Sequence, residues 1–283
     1  MKEKFSDRIG VTKPSEVLQI DGISEKLKSR LWNIIRKSIY DEANEYLFNS
    51  ITLICDDFFG FNINHVKNLP NDECLVWIFN QYKSEKFKWY DVYNFLEWIG
   101  ENFRAVNGKE NLYSFYEWVN EVLENENAGF RFIDGILVPI TNKEELHSIE
   151  NSIAESKAKK MYGTAKHFET SIELFAKRPD PDYRNSIKES ISAVESLVKR
   201  LTGETGGGLD KALTLLDNKV KFHGAFKSAL SSLYGYTSDE SGIRHPILEE
   251  KEIGFDEAKY MLVSCSAFVN FIIAKAEKAG LLK

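Results

Sequence analysis

The sequence predicts a mainly α-helical protein with a short β-hairpin near the middle of the chain. Apolar residues recur at helical spacing along most of the 283 residues, and the period changes to two around Asp134-Gly135. Hydrophobic residues form 43% and charged residues 28% of the chain, as in ordinary soluble globular proteins. The length exceeds that of one typical domain, so we expect two domains.

The amino-terminal part, residues 1–142, is predicted to be a helical domain rich in aromatic residues. Leu27 and Leu31 lie at helical spacing, and Ser24 can cap the helix that carries them. The stretches WYDVYNFLEWIGENF and YSFYEWVNEVLENE repeat the helical pattern. This domain offers no residues with evident chemistry, and its position before a second domain suggests a sensing or regulatory role.

A hairpin is expected where this domain ends. Asp134-Gly135 is a strong turn signal because both residues tolerate the positive φ angles of a two-residue hairpin loop. The flanking alternation predicts strands over Phe130–Ile133 and Ile136–Pro139.

Next, the sequence predicts one long connecting helix over residues 143–180. Thr141 and Glu144 have the spacing of a capping box that would open it. An apolar stripe then continues for most of the segment, through Ile149, Ile153, Met161, Ala165, Phe168, Ile172 and Phe175.

The last part, residues 181–283, is predicted to complete an all-helical bundle. Asp180, just ahead of a proline, is the expected cap of its first helix. Short helices are expected at Leu209–Asp217 and Ala225–Tyr234, and a strongly apolar helix after an Asp256 cap. With the connecting helix this makes four or five helices.

Several classes of protein are disfavoured by what the sequence lacks. It has no phosphate-loop, dinucleotide-fingerprint, zinc-protease or nucleophile-elbow motif, so we expect no cofactor and no metal site. The net charge of −6 argues against non-specific coating of nucleic acid. Cys55, Cys74 and Cys265 are predicted to be reduced thiols, and with no apolar leader or long apolar run we expect a cytoplasmic protein without membrane contact.

The strongest candidate site is the polar loop YGYTSDESGIRHPI, in which Asp239, Glu240, Arg244 and His245 lie close in sequence. Histidine supplies the near-neutral acid or base that cleavage of RNA by its own 2′-hydroxyl requires. Arginine supplies a fixed cation for the phosphorane. The alternative is structural: Arg244 pairs with Asp239 or Glu240 to close the loop, and His245 only precedes the next helix.

Histidines outside this loop are weaker candidates. His147 and His167 fall on the predicted long helix, at positions that we expect to be solvated. Glu189 and Glu195 on the following helix could take part in a site, although a polar stripe inside the bundle is their structural alternative.

The carboxyl-terminal half resembles the HEPN-type helical domain of bacterial abortive-infection proteins. The resemblance lies in YRNSIKESISAVESLVKRLTGE, LDKALTLL, FKSALSSLYGYTSDESGIRHPI and FDEAKYMLVSCSAFVNFI. The amino-terminal half resembles the AbiJ amino-terminal domain in FSDRIG, LWNII and NENAGFRFIDGILVPITNKEELHSIENSI. Together the two resemblances cover most of the chain in the expected order.

These resemblances imply a HEPN-like four-helix bundle over residues 181–283 that pairs as a homodimer, so that two motif loops line one cleft. They also imply a metal-independent endoribonuclease toxin that acts against phage-infected cells, with RNA and a phage or host trigger as partners. His245 and Arg244 would then be catalytic, and Asp239 would orient one of them. The expected RNA contacts are Arg184, Asn185, Ser238 and Glu240.

The loop departs from the HEPN motif in one respect. The family separates an arginine from the histidine by four to six intervening residues, whereas positions 238 and 239 are Ser238 and Asp239, and Arg244 directly precedes His245. A further arginine could come from Arg184 or from the paired chain. The alternative hypothesis is a catalytically inactive HEPN-fold module that senses or binds a component of a defence system.

Overall fold

The chain folds into two compact units, Met1–Pro139 and Ile140–Lys283, and helices dominate both. Among the described residues the strands form one two-stranded sheet. The predicted mainly α-helical class is therefore confirmed. The structure is a computed structural model that describes residues 18–39, 47–62, 64, 69–107, 112–177, 180–238 and 253–282.

The first unit contains six described α-helices followed by the hairpin. A π-helix, Ile54–Phe58, directly continues the second of them. The α-helices are α1 (Glu25–Ile39), α2 (Leu47–Leu53), α3 (Asn71–Lys83), α4 (Trp89–Glu101), α5 (Phe103–Asn107) and α6 (Leu112–Asn125). Ser24 accepts a hydrogen bond from the Leu27 backbone N–H at 3.2 Å, so it caps α1 as predicted.

The hairpin consists of β1 (Arg131–Ile133) and β2 (Ile136–Val138), paired antiparallel. Asp134 and Gly135 have φ angles of +48° and +88°, as a two-residue turn with two positive φ values requires. Each strand is one residue shorter at its outer end than predicted. Asn120 of α6 ties β1 to the helices, since its side chain accepts from the Phe132 N–H and donates to the Phe132 carbonyl.

Aromatic rings fill the centre of the first unit. Phe95 of α4 is fully buried and stacks on Phe58 with ring centroids 4.5 Å apart. Tyr82 of α3 is also fully buried, and its hydroxyl donates to the Lys28 carbonyl of α1 at 2.8 Å. Burying such large rings removes much apolar surface from water, so these contacts hold α1, α3 and α4 together.

The second unit contains six described helices, where the sequence predicts four or five. They are α7 (Lys143–Ala158), α8 (Tyr162–Ala176), α9 (Tyr183–Thr202), α10 (Leu209–Val220), α11 (Gly224–Ser238) and α12 (Phe255–Lys278). α9 packs against α8 and α12, and α7 closes the ring by packing against the same two helices. These four helices form a bundle, and α10 and α11 lie against α9.

The single helix expected over 143–180 is two helices in the structure. α7 ends in a Schellman motif, in which the Met161 N–H bonds to the Ser156 carbonyl and the Lys160 N–H to the Lys157 carbonyl. Lys160 takes the left-handed conformation, with φ +59°, that glycine usually supplies there. Because a lysine, and not a glycine, occupies this position, the sequence contains no signal for the end of α7. The predicted apolar stripe is nevertheless buried along both helices.

Buried serines let α8 and α9 approach closely. Ser171, Ser186 and Ser190 are fully buried. The Ser171 hydroxyl donates to the Ser186 carbonyl at 2.8 Å and lies 2.7 Å from the Ser190 hydroxyl. Small side chains bring the two backbones together, and the hydrogen bonds satisfy the polar atoms that this contact buries. The register of α8 against α9 is thereby fixed.

α12 has the length and composition of a helix that could cross a membrane. Its most apolar 18-residue window has a mean hydropathy of 1.3, and half of that window is buried inside the protein. Its buried residues include the predicted face of Met261, Leu262, Cys265, Phe268, Val269, Ile272 and Ile273. Length and composition are the same in the core helix of a bundle, so this feature is weak evidence for a membrane span.

The aromatic core makes Phe95 the most informative position for the stability of the first unit. Phe95→Ala should lower the free energy of unfolding by about 3–5 kcal/mol, because it removes a fully buried ring and leaves a cavity. Phe48→Ala is the matched control, since Phe48 is 39% exposed, and should cost less than about 1 kcal/mol. Chemical denaturation measures both. Equal losses would contradict this account of the core.

Candidate functional site

The predicted motif loop joins α11 to α12. Asp239, Glu240, Arg244 and His245 lie outside the described residues. Ser238 is the last residue of α11, and its side chain is not among those described. The site is therefore built from the two helices that flank the loop and from the elements that contact them.

A cluster of three aromatic rings holds the residue at which the chain returns from the loop. Phe255 begins α12, and its ring centroid lies 5.2 Å from that of Phe175 and 6.3 Å from that of Tyr183. Phe175 lies near the end of α8, and Tyr183 is the first residue of α9. The loop thus rejoins the bundle at the amino-terminal end of α9.

Arg184 and Asn185 lie at this same end of α9. The cap is Asp182, two residues later than predicted, and its carboxylate accepts the Asn185 backbone N–H at 3.0 Å. The Asn185 side-chain amide donates to the same carboxylate at 2.7 Å. Asn185 is therefore engaged in capping the helix, which competes with its predicted role in binding RNA. Arg184 is half-buried in the first turn, one residue from Tyr183.

Farther along α9, the structure pairs His167 of α8 with Glu189. The His167 Nδ1 atom lies 2.6 Å from Glu189 Oε2. A carboxylate on one ring nitrogen orients an imidazole and leaves the other nitrogen for proton transfer. His167 is half-buried and paired with a carboxylate, so it does not lie at a simply solvated position as predicted. His147 is exposed, as predicted. No sequence pattern joins His167 to Glu189, because their contact depends on the register of two helices.

Glu195 has a local partner. Its carboxylate lies 2.8 Å from the Lys199 ammonium group, one turn along α9. Such pairs stabilise a helix surface by a few tenths of a kcal/mol. This contact agrees with the structural interpretation of Glu195.

The cysteines do not provide a nucleophile. Cys55, Cys74 and Cys265 are free and buried. Burial raises the pKa of the Cys55 and Cys265 thiols to about 12, so both stay protonated at neutral pH. Within the described ranges, His, Cys, Asp and Glu side chains form no group of three or more that could hold a metal ion.

A family model described as AbiJ N-terminal domain 4 matches residues 3–155. The match covers more than half of the chain, including the whole hairpin and most of α7. Comparisons with curated proteins and with solved structures gave no match.

The cap of α9 can be tested against the one that the sequence predicts. Asp182→Ala should lower the free energy of unfolding by about 1 kcal/mol, because the Asn185 N–H loses its acceptor. Asp180→Ala should change it by less than about 0.5 kcal/mol, since Asp180 is exposed and lies outside the helix. Thermal or chemical unfolding compares the two. A larger loss of unfolding free energy for Asp180→Ala than for Asp182→Ala would show that Asp180 is the cap, as the sequence predicts.

Proposed function

The chain belongs to the AbiJ N-terminal domain 4 family, which indicates an abortive-infection defence protein, and on that premise we propose that its second unit is a HEPN-type, metal-independent endoribonuclease. The observation that supports this proposal is the ring cluster of Phe175, Tyr183 and Phe255. It returns the motif loop to the end of α9 that carries Arg184. Arg184, at the end of α9 where the chain returns to the bundle at Phe255, is thus a candidate replacement for the arginine that the loop motif lacks.

In the proposed reaction, His245 removes the proton from an RNA 2′-hydroxyl. The 2′-oxygen then bonds to the adjacent phosphorus, and the bond from phosphorus to the 5′-oxygen breaks. The leaving 5′-oxygen takes a proton from His245 of a second copy of the chain, and a 2′,3′-cyclic phosphate remains. Arg244 and Arg184 stabilise the extra negative charge on the phosphorane. Asp239 orients His245 or Arg244, and Ser238 and Glu240 contact the RNA.

This proposal carries further expectations about the protein in the cell. Two copies pair through their second units, so that two loops line one cleft. The protein is cytoplasmic, and its first unit recognises a phage or host component that activates the second.

A second candidate function is binding without catalysis. It is favoured by the position of Arg244 directly beside His245 and by the net charge of −6. The engagement of Asn185 in the α9 cap also favours it, because that amide is already hydrogen-bonded. On this hypothesis the second unit keeps the helical bundle and its pairing surface but cuts no RNA.

Incubation of the purified full-length protein with total cellular RNA and excess EDTA tests the nuclease. His245→Ala should slow cleavage at least about 100-fold, since a general acid–base group is lost. His147→Ala is the matched control and should cleave at the wild-type rate, because His147 is exposed on α7. Cleavage retained by His245→Ala would exclude His245 as the catalytic residue. Absence of cleavage by wild type, with and without extract from phage-infected cells, would favour the binding module.

The same assay separates the loop from the His167–Glu189 pair. His167→Asn should leave cleavage within about threefold of wild type if the reaction occurs at the loop. A loss of at least about 100-fold in this variant, with His245→Ala active and both proteins folded by circular dichroism, would move the catalytic centre to α8 and α9.

A further inference from the structure

One side of α6 in the first unit carries four exposed side chains, two aromatic and two acidic. Tyr113 is 72% and Trp118 40% exposed, and Glu117 and Glu121 are exposed as well. Successive residues of a helix are about 100° apart, so these four side chains fall within an arc of about 140°. Together they form an acidic-aromatic face. The opposite side of α6 is buried in the unit through Phe115, Val119, Val122 and Leu123.

The acidic-aromatic face carries negative charge that α6 does not balance. The helix contains no lysine, arginine or histidine. The carboxylates of Glu117 and Glu121 make no ion pair or hydrogen bond with other residues in the described ranges. By contrast, the Glu126 side chain, just beyond the helix, is 8% exposed and pairs with Lys26 and Arg30. Because one helical turn separates Glu117 from Glu121, both act on the same region of solvent.

A cation of the same chain already lies on this face. The ammonium group of Lys37, an exposed residue of α1, lies 4.1 Å from the centroid of the Trp118 ring. The negative face of an aromatic ring attracts cations, and tryptophan attracts them most strongly. This contact is independent of the two carboxylates. The ring and the carboxylates therefore favour the same kind of group, a side-chain cation.

Charge complementarity decides between classes of partner for this face. Nucleic acids and anionic lipids carry phosphates, which the two carboxylates repel. An apolar helix would bury the carboxylates without partners, which is costly. In a segment rich in arginine and lysine, the cations pair with the carboxylates and the aliphatic stems pack on the rings. Only the last of these classes fits both features of the face.

We propose that the acidic-aromatic face of α6 binds an arginine- and lysine-rich segment of a partner protein. One cation of the segment takes the place of Lys37 over the Trp118 ring, and others pair with Glu117 and Glu121. The Tyr113 ring packs on an aliphatic stem. This proposal rests on the recognition role proposed for the first unit and names the chemistry of its partner. RNA cleavage plays no part in it.

Fluorescence anisotropy with the full-length protein and a labelled peptide of alternating arginine, lysine and glycine tests the proposal. The salt concentration is about 0.1 M, at which charges more than about 10 Å apart are largely screened. The peptide should bind, and the same peptide with glutamate in place of arginine and lysine should not. Trp118→Ala should weaken binding about tenfold, because it removes the aromatic anchor.

The two carboxylates are tested together, against a charge-matched control. Glu117→Gln combined with Glu121→Gln should weaken peptide binding at least about fivefold, since two ion pairs are lost. Glu144→Gln combined with Glu173→Gln removes the same charge from exposed positions of the second unit. This control should change the Kd less than about twofold.

Lys37→Gln tests whether the partner's cation takes the position over the ring. This substitution should tighten peptide binding about threefold, because the cation of the same chain no longer competes for Trp118. Lys86→Gln is the control at another exposed lysine of the first unit, and should change the Kd less than about twofold.

The proposal is overturned if the cationic peptide does not bind, if both glutamine pairs weaken binding alike, or if Trp118→Ala binds like wild type. It also fails if Lys37→Gln binds no more tightly than Lys86→Gln. Unfolding temperatures verify that each variant is folded. RNA cleavage by the same samples reports separately on the nuclease: cleavage without peptide binding rejects only the binding face, and peptide binding without cleavage rejects only the nuclease.

Discussion

The close approach of α8 and α9 is the contact on which the second unit depends. Side chains no larger than serine or glycine stand where the helices meet, at Gly163, Ser171, Ser186 and Ser190, and the buried hydroxyls bond to one another and to carbonyls. A hydrogen-bonded contact of this kind permits one register, because any shift would bury unsatisfied polar atoms. That register places the aromatic cluster at one end of the helix pair and the His167–Glu189 contact along it.

The first unit uses its buried charged groups differently. Lys28 donates to the Phe87 carbonyl, Arg131 to the carbonyls of Ala128 and Phe130, and Glu97 accepts the Leu137 N–H of the hairpin. Burial lowers the pKa of Lys28 and of Arg131 and raises the pKa of Glu97. Each group is nevertheless committed to holding backbone in place. This commitment is typical of ionisable residues that maintain the shape of a folded unit.

The features that could be predicted from the sequence are those set by local chemistry. The hairpin follows from Asp134-Gly135, since those two residues alone provide the turn. The break between α7 and α8 could not be predicted, because Lys160 takes a conformation that usually signals glycine. His167 and Glu189, 22 residues apart, meet through packing that no local pattern records.

The two ends of the α8–α9 pair are joined by one packed interface. Its register presses Phe175 against Tyr183 and Phe255, the ring at which the chain leaves the motif loop. The serine contacts that fix α8 against α9 therefore also hold in place the aromatic ring at which the chain returns from the loop.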